Sequence, residues 1–476
     1  MDRLENLDRC LSVIAFKEEL AKPIPSMPPD YHYYAQPSSP SGTQIAIIGG
    51  GYAGLSAGVM LAEAGFAVTV FEASRALGGR ARRVEVDGRI IDNGQHILSG
   101  SYAALLELMA KVGVAPDEAL LRLPLHVRVM PGFSFEKSSG GPPWDLLFGL
   151  FKANGLGFLE TVAIIRFMAA MKRCDFKLAA DRKVADLLDQ YQQSARARRY
   201  LWDPLCVAAL NTPVEAASAQ VFLNVIRDGI MGARQASDML FPRVDLSRMF
   251  PDAAAKFITD RGGLVRTATA VRRVYWAGEG WFLDAIPKPY AAVIIATAPQ
   301  HAVALLDEVE DVEATRARLA GMTYLPISTI YLQYPADFKL ALPMIGMTDG
   351  PGQWAFDRGQ LGGAAGLIAV VISAATSVEK MQNHELVGVI LDQMRRELGA
   401  PATAKWQQVI TERRATIACR PNLFRPTNQT EAAGLLLAGD YTDVDYPCTL
   451  ETAVRSGIAA AKQIIIPASA STPQPH

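Results

Sequence analysis

The sequence predicts an α/β chain in which a buried parallel sheet is assembled from segments far apart in the chain and joined to a mixed α+β second unit. Three observations carry this. Ile45-Ala46-Ile47-Ile48 is a continuous apolar run, as a parallel strand buried on both faces requires. A glycine-rich turn, a helical period over Leu55–Ala64 stopped at Gly65, and a second apolar run over Ala67–Phe71 follow it, which makes a βαβ opening. Near the other end, Leu435-Leu436-Leu437-Ala438 and a Gly-Asp pair precede a helix beginning near Leu450.

Composition narrows the functional classes. A chain of 476 residues, half of them apolar, is long enough for roughly two to three domains with large cores. A formal net charge of −1 gives no global attraction to nucleic acid, so no nucleic-acid partner is expected. The five cysteines (Cys10, Cys174, Cys206, Cys419 and Cys448) form no C-x-x-C pair, which argues against a disulfide framework and a zinc site. That usage fits a reduced, cytoplasmic protein. The histidines are dispersed, and no metal site is expected. Acids and bases mix at the N-terminus with no apolar core behind them, so no secretory signal is expected. The longest nearly apolar stretch, Ala364–Ala375, is too short to span a bilayer.

Along the chain, residues 1–22 read as an amphipathic helix with Leu4, Leu7, Leu11 and Ile14 on one stripe, and 23–42 as a Pro/Ser-rich linker. Segments 43–100, 245–300 and 416–466 build the nucleotide-binding domain. Segments 101–244, mostly helical in period, and 301–415 build the substrate or cap domain. Residues 467–476 read as a disordered tail. Within the first domain, Asp87-Gly88 between Arg82–Val86 and Arg89–Ile91 predicts a hairpin. Val265–Tyr275, Trp281–Ala285 and Ala291–Ala296 have strand character.

The first turn carries Gly49-Gly50-Gly51-Tyr52-Ala53-Gly54, a G-x-G-x-x-G between strand and helix. Gly49 permits the tight turn, Gly51 lets backbone approach a pyrophosphate, and Gly54 lets the helix pack closely on the strand. The uncapped helix N-terminus then faces the phosphates. Glu72, at the end of the second strand with Ala73 behind it, can accept from both ribose hydroxyls and disfavours a 2′-phosphate. These features fit NAD or FAD; three more favour FAD. Gly78-Gly79-Arg80 exposes backbone and offers a cation to a phosphate. Asp92-Asn93-Gly94-Gln95-His96 closes the hairpin where an extended cofactor would pass. Gly439-Asp440, followed by Thr449 and Leu450 at a helix start, suits the ribityl and ring end. The fold predicted is thus a glutathione-reductase-like FAD-binding Rossmann domain built from discontinuous segments.

These residues resemble the flavin amine oxidase, phytoene desaturase and protoporphyrinogen oxidase superfamily over nearly the whole chain from Thr43. Within it the chain is most similar to the hydroxysqualene dehydroxylases. That likeness rests on Asp92–Leu98, on Leu201–Leu205 with Ala209–Pro213, and on Leu437–Thr442 running through Tyr446-Pro447 to Gly457. The resemblance implies Gly49, Gly51, Gly54, Glu72, Gly79, Arg80 and Asp440 as FAD ligands, with Val271, on a strand over Ala270–Val274, meeting the adenine through its backbone. Cys448 and Thr452 depart from the smaller residues that the pattern places there.

The resemblance also implies reductive removal of a hydroxyl from hydroxysqualene, with hydride from reduced flavin and acid-assisted loss of water. Candidate acids are His96, Tyr446 and Asp443, with Tyr441 and Asp445 nearby; Asn211 and Thr212 could orient a hydroxyl. The electron donor is unidentified. A long hydrocarbon substrate implies a membrane source, and the apolar stretches Trp144–Phe151 and Phe158–Met171 with a basic fringe fit peripheral docking on the cytoplasmic membrane face. Two other readings stay open at this point. One is a carotenoid-type desaturase or amine oxidase, which runs hydride transfer from substrate to flavin. The other is a non-enzymatic lipid-binding protein like the GDP-dissociation inhibitors.

Overall fold

The computed structural model describes residues 42–138, 144–443 and 445–470. The expected N-terminal helix over 1–22 and nearly all of the linker lie outside them. Five parallel strands form the central sheet, numbered here in chain order: β1 (Gln44–Ile48), β2 (Ala67–Phe71), β3 (Leu264–Arg266), β4 (Ala292–Ile295) and β5 (Leu435–Leu437). Their order is β3-β2-β1-β4-β5, and every neighbouring pair is parallel. β1, β4 and β5 are almost wholly buried, which is why they read as unbroken apolar runs. Helix α1 (Tyr52–Glu63) follows β1 directly, three residues earlier than its apolar period indicates, because Gly51 itself is the N-cap. In this strand order a ligand crevice is expected where β1 and its neighbours end.

A second sheet of seven strands stands beside the first, in the order Trp406–Ile417, Tyr324–Gln333, Leu367–Ser373, Trp354–Asp357, Met344–Gly346, His126–Val129, Phe133–Glu136. The last two lie within 101–244, whose elements are otherwise mostly helical, as expected. They form a hairpin that extends the sheet through pairing of Val129 with Gly346. The helices of that region include α2 (Trp144–Lys152) and α3 (Phe158–Arg173). They pack with the second sheet around an aromatic core that contains Phe133, Phe167, Trp202 and Phe222.

Two further expectations change. The strand predicted over Val265–Tyr275 is broken: β3 ends at Arg266, and Val274–Trp276 joins a separate antiparallel sheet of three strands. The backbone between them turns at Ala268 (φ 51°) and is tied back to Ser74 O and Glu72 O by the Ala268 and Thr269 amides, at 2.8 and 2.9 Å. Val271 therefore sits in this link and not on a strand. At the C-terminus, helix α4 (Leu450–Ala470) continues through Pro467 into the stretch expected as tail; residues 471–476 lie outside the described residues. The predicted hairpin is present as Arg83–Val86 paired with Arg89–Asp92.

Candidate active site

The carboxyl ends of β1, β2, β4 and β5 open into one cavity of about 1210 Å³. Gly49, Gly51, Tyr52 and Ala53 line it after β1, Glu72 and Ala73 after β2, and Gly439 and Asp440 after β5. Gly78, Gly79, Arg80, Gly94, His96, Val271, Tyr446, Thr449 and Leu450 also lie on its walls. Four residues singled out from the sequence do not: Gly54, Thr212, Asp443 and Asp445. Gly54 is packed behind the turn: a Cβ there would stand 2.0 Å from Gly49 O and 3.1 Å from Ala296 Cβ. Asp443 is off the wall; its carboxylate accepts the Asp445 amide at 2.8 Å and its carbonyl accepts from Arg425 at 2.6 Å. A carboxylate committed to its own turn is no acid for this cavity. Asp445 is likewise absent from the walls.

The nucleotide end is held by its own backbone. Gly49 takes φ +118°, and its Cβ would collide with Ala296 O at 2.5 Å, so only glycine makes this turn. α1 begins with no side-chain cap and no acid in its first turn, which leaves its amides and positive dipole end directed at the cavity. Glu72 accepts the Gly50 and Ser74 amides, each at 2.8 Å. Each carboxylate oxygen keeps a lone pair, so Glu72 is fixed in place and can still accept from a ribose.

Arg80 and Asp440 were expected to meet the cofactor separately. Instead they meet each other: Arg80 Nη2 donates to both Asp440 oxygens at 2.7 and 2.8 Å, and Nη1 donates to Ala415 O at 2.6 Å. The pair joins positions 360 residues apart, closing the cavity wall between the loop after β2 and the end of the last strand. Behind it, Thr449 and Thr452 cap α4 reciprocally. The Thr449 amide donates to Thr452 Oγ1 at 2.8 Å, and the Thr452 amide to Thr449 Oγ1 at 3.2 Å. The departure at Thr452 is thus used within the helix start.

His96 faces the cavity, with Nδ1 2.9 Å from Gly94 O. That contact requires a proton on Nδ1 and leaves Nε2 as an acceptor. Burial, with the Arg80 charge adding to it, pushes the His96 pKa below its ordinary value. A neutral ring that presents a lone pair cannot be the resting acid, so the expectation for His96 changes from donor to acceptor. Tyr446 is different: burial and its hydrogen bond to Asp228 raise its pKa, so it keeps its proton. Asn211 is engaged by Leu325 O, Thr416 and the Ala374 amide, and Thr212 by Leu210 O and the Cys419 amide, which makes both structural.

Sequence reasoning missed Asp228 and Arg227. They sit on a π-helical turn, Ile226–Ile230, which carries Asp228 onto the cavity wall. Such turns recur at functional sites, yet no periodicity in the sequence marks this one.

The residues present fit FAD. Buried Thr297 Oγ1, Gln300 Oε1 and Tyr441 Oη have no hydrogen-bond partner among the described residues, and all three residues line the cavity, where a polar cofactor would pair them. The volume exceeds the roughly 300–1,000 Å³ of a single-ligand site, leaving room for a second long molecule. The model of the flavin-containing amine oxidoreductases matches residues 52–465. The chain belongs to that family. Its cofactor is FAD, and it is an oxidoreductase. It is 29% identical over 436 residues to hydroxysqualene dehydroxylase of Zymomonas mobilis, covering 87% of this chain and 97% of that one. It is 23% identical over 482 residues to a probable zeta-carotene desaturase of Synechococcus elongatus, covering 89% and 98%. Cyclohexylamine oxidase of Brevibacterium oxydans superposes with a TM-score of 0.66 at 18% identity, covering 89% and 99%. The last comparison bears on the fold of this family member alone. Among the described residues no cluster could hold a metal ion.

Proposed function

We propose that this flavoprotein reductively dehydroxylates hydroxysqualene to squalene. The observation that carries the reading is one continuous cavity with two characters. Its nucleotide end is built of turns and helix N-termini, and its far end is walled by apolar side chains such as Val127, Phe135, Leu150 and Met168. Such walls match a long isoprenoid and exclude water from a cationic centre. The higher identity to hydroxysqualene dehydroxylases than to carotene desaturases supports this reading over the oxidative one.

Gly49, Gly51, the uncapped start of α1 and Glu72 would hold FAD, which, once reduced by a separate electron donor, would supply hydride chemistry here. Tyr446, protonated near neutral pH and on the cavity wall, is the group assigned to the departing oxygen: it gives its proton as the C–O bond breaks, the hydroxyl leaves as water, and a proton from solvent restores Tyr446. Anaerobic incubation of the reduced holoprotein with hydroxysqualene is expected to yield squalene by gas chromatography–mass spectrometry. Oxidation of phytoene or of an amine, with no squalene formed, would move the assignment to the oxidative readings. A colourless protein that takes up no FAD would move it to a lipid-binding role.

Substrate entry is assigned to α2 and α3. Their inner faces line the cavity through Leu146, Leu150, Ile164 and Met168, while Phe148, Phe151, Phe158 and Leu159 are 50–80% exposed outside. Lys152, Arg166 and Arg173 are exposed alongside. An apolar patch with a basic fringe suits peripheral docking on an anionic membrane surface, on the cytoplasmic side. Among the described residues no helix is long and apolar enough to cross a membrane. Replacing Phe151, Phe158 and Leu159 together by Ser is expected to abolish co-sedimentation with anionic vesicles while flavin content stays unchanged. Equal co-sedimentation of the variant would refute the docking surface.

A further inference from the structure

The proton source assigned above does not explain how the cavity recognises an alcohol. A hydroxyl entering an apolar cavity leaves its water behind and binds poorly unless both its donor and its acceptor functions are met. Asp228 and Tyr446 lie on the wall, and Arg227, hydrogen-bonded to both, completes a polar cluster that can meet both functions. Arg227 Nε donates to Asp228 Oδ1 at 2.7 Å and Nη2 to Oδ2 at 2.9 Å. The Tyr446 hydroxyl donates to Asp228 Oδ2 and accepts from Arg227 Nη2 at 3.2 Å. The Asp228 and Arg227 side chains are only 25% and 28% exposed, so this is no ordinary solvated ion pair.

The cluster is held from both sides. The π-helical turn sets Asp228, while the loop that carries Tyr446 is clamped from behind. There Arg425, only 3% exposed, donates to Asp443 O and Tyr446 O at 2.6 and 3.0 Å, and Asn224 donates to Asp445 O at 2.8 Å. The Arg455 guanidinium lies 5.4 Å over the Tyr446 ring. Burial alone would raise the Asp228 pKa, but the hydrogen bonds from Arg227 and Tyr446 outweigh it and hold the pKa below the ordinary value. A carboxylate can accept at about four lone-pair positions, and three donors reach this one, so capacity remains.

We propose that Arg227, Asp228 and Tyr446 form a hydroxyl-recognition subsite that selects the alcohol substrate over the hydrocarbon product. The substrate hydroxyl inserts between the two: it accepts the Tyr446 proton that otherwise goes to Asp228, and donates its own proton to Asp228 in its place. The product has no hydroxyl to offer and loses this anchor, which favours its release. The inference rests on the substrate class assigned under the proposed function.

Binding separates the two claims. The oxidised holoprotein is titrated with hydroxysqualene and with squalene in matched detergent, and binding is read from the perturbation of flavin absorbance. The wild type is expected to bind the alcohol at least about 10-fold more tightly, as a charge-assisted hydrogen bond implies. Asp228→Asn, isosteric and neutral, is expected to weaken alcohol binding by about 10-fold or more and squalene binding by less than about 2-fold. Tyr446→Phe, which leaves the Arg227–Asp228 pair intact, is expected to lower the same selectivity by a smaller factor. A wild type with no preference, or Asp228→Asn and Tyr446→Phe proteins with undiminished preference, would overturn the subsite. So would a parallel loss for both ligands, which is the mark of a purely structural role. If selectivity behaves as expected and no squalene is produced on reduction, the reaction assignment fails and the subsite stands. If squalene is produced and selectivity is unaffected, the reverse holds.

Discussion

Gly51→Ala and Gly54→Ala are expected to fail in opposite ways although they lie three positions apart. At Gly54 a methyl would stand 2.0 Å from Gly49 O and 3.1 Å from Ala296 Cβ, both parts of the rigid strand ends. Alanine improves helix propensity by about 1 kcal/mol, but relieving that contact requires α1 to move off the sheet, and overpacking of a fixed core typically costs about 1–3 kcal/mol or more. The collision therefore wins. Gly54→Ala should lower the denaturation midpoint and yield protein deficient in flavin. At Gly51 the backbone φ of −81° is open to any residue, and the nearest atom to an added Cβ is Gly79 Cα at 3.8 Å. Gly51→Ala should therefore match the wild type in stability as apoprotein and lose affinity only for FAD. Flavin-to-protein absorbance ratios and denaturation of the apo forms check both. An unstable Gly51→Ala apoprotein, or a fully flavinated and stable Gly54→Ala protein, would contradict this division of labour between the glycines.

The contrast explains how much was legible in the sequence. The βαβ opening could be read because each requirement is local: a turn at Gly49, a close approach at Gly54, a carboxylate at Glu72. β5 and Asp440 could be read because a strand, a glycine and an acid before a helix repeat the same logic. The break after Arg266 could not. β3 and Val274–Trp276 have the same apolar character, and only their pairing with different sheets forces the turn at Ala268. Asp228 was hidden for a related reason, since a π-helical turn alters helical spacing by one residue and no composition signals it. His96 was found, but its role was misread. The tautomer is set by Gly94 O, a backbone atom whose direction no sequence motif specifies. Arg80 and Asp440 were both found as wall residues, but each was assigned alone, because nothing in a sequence couples sites 360 residues apart.

That coupling leads to the second large effect. Removing one partner of a buried ion pair leaves the other charge uncompensated and typically costs about 3–5 kcal/mol. The Asp440 side chain is 9% exposed but that of Arg80 is 34% exposed, so screening places the cost at the low end, about 3 kcal/mol. Asp440→Ala is expected to fall by that amount in the denaturation of the flavin-loaded protein. Arg80→Ala should do more harm to the fold, since it leaves the more buried Asp440 carboxylate uncompensated and also frees the Ala415 carbonyl. Arg80→Lys should rescue only partly, because an ammonium cannot grip both Asp440 oxygens and Ala415 O at once. The double replacement Arg80→Ala/Asp440→Ala should cost less than the sum of the single ones, as neighbours in one network do. A cycle whose terms add would mean that the pair does not bind the loop after β2 to the last strand. The closed wall shared by both ends of the chain would then have to be held by the sheet alone.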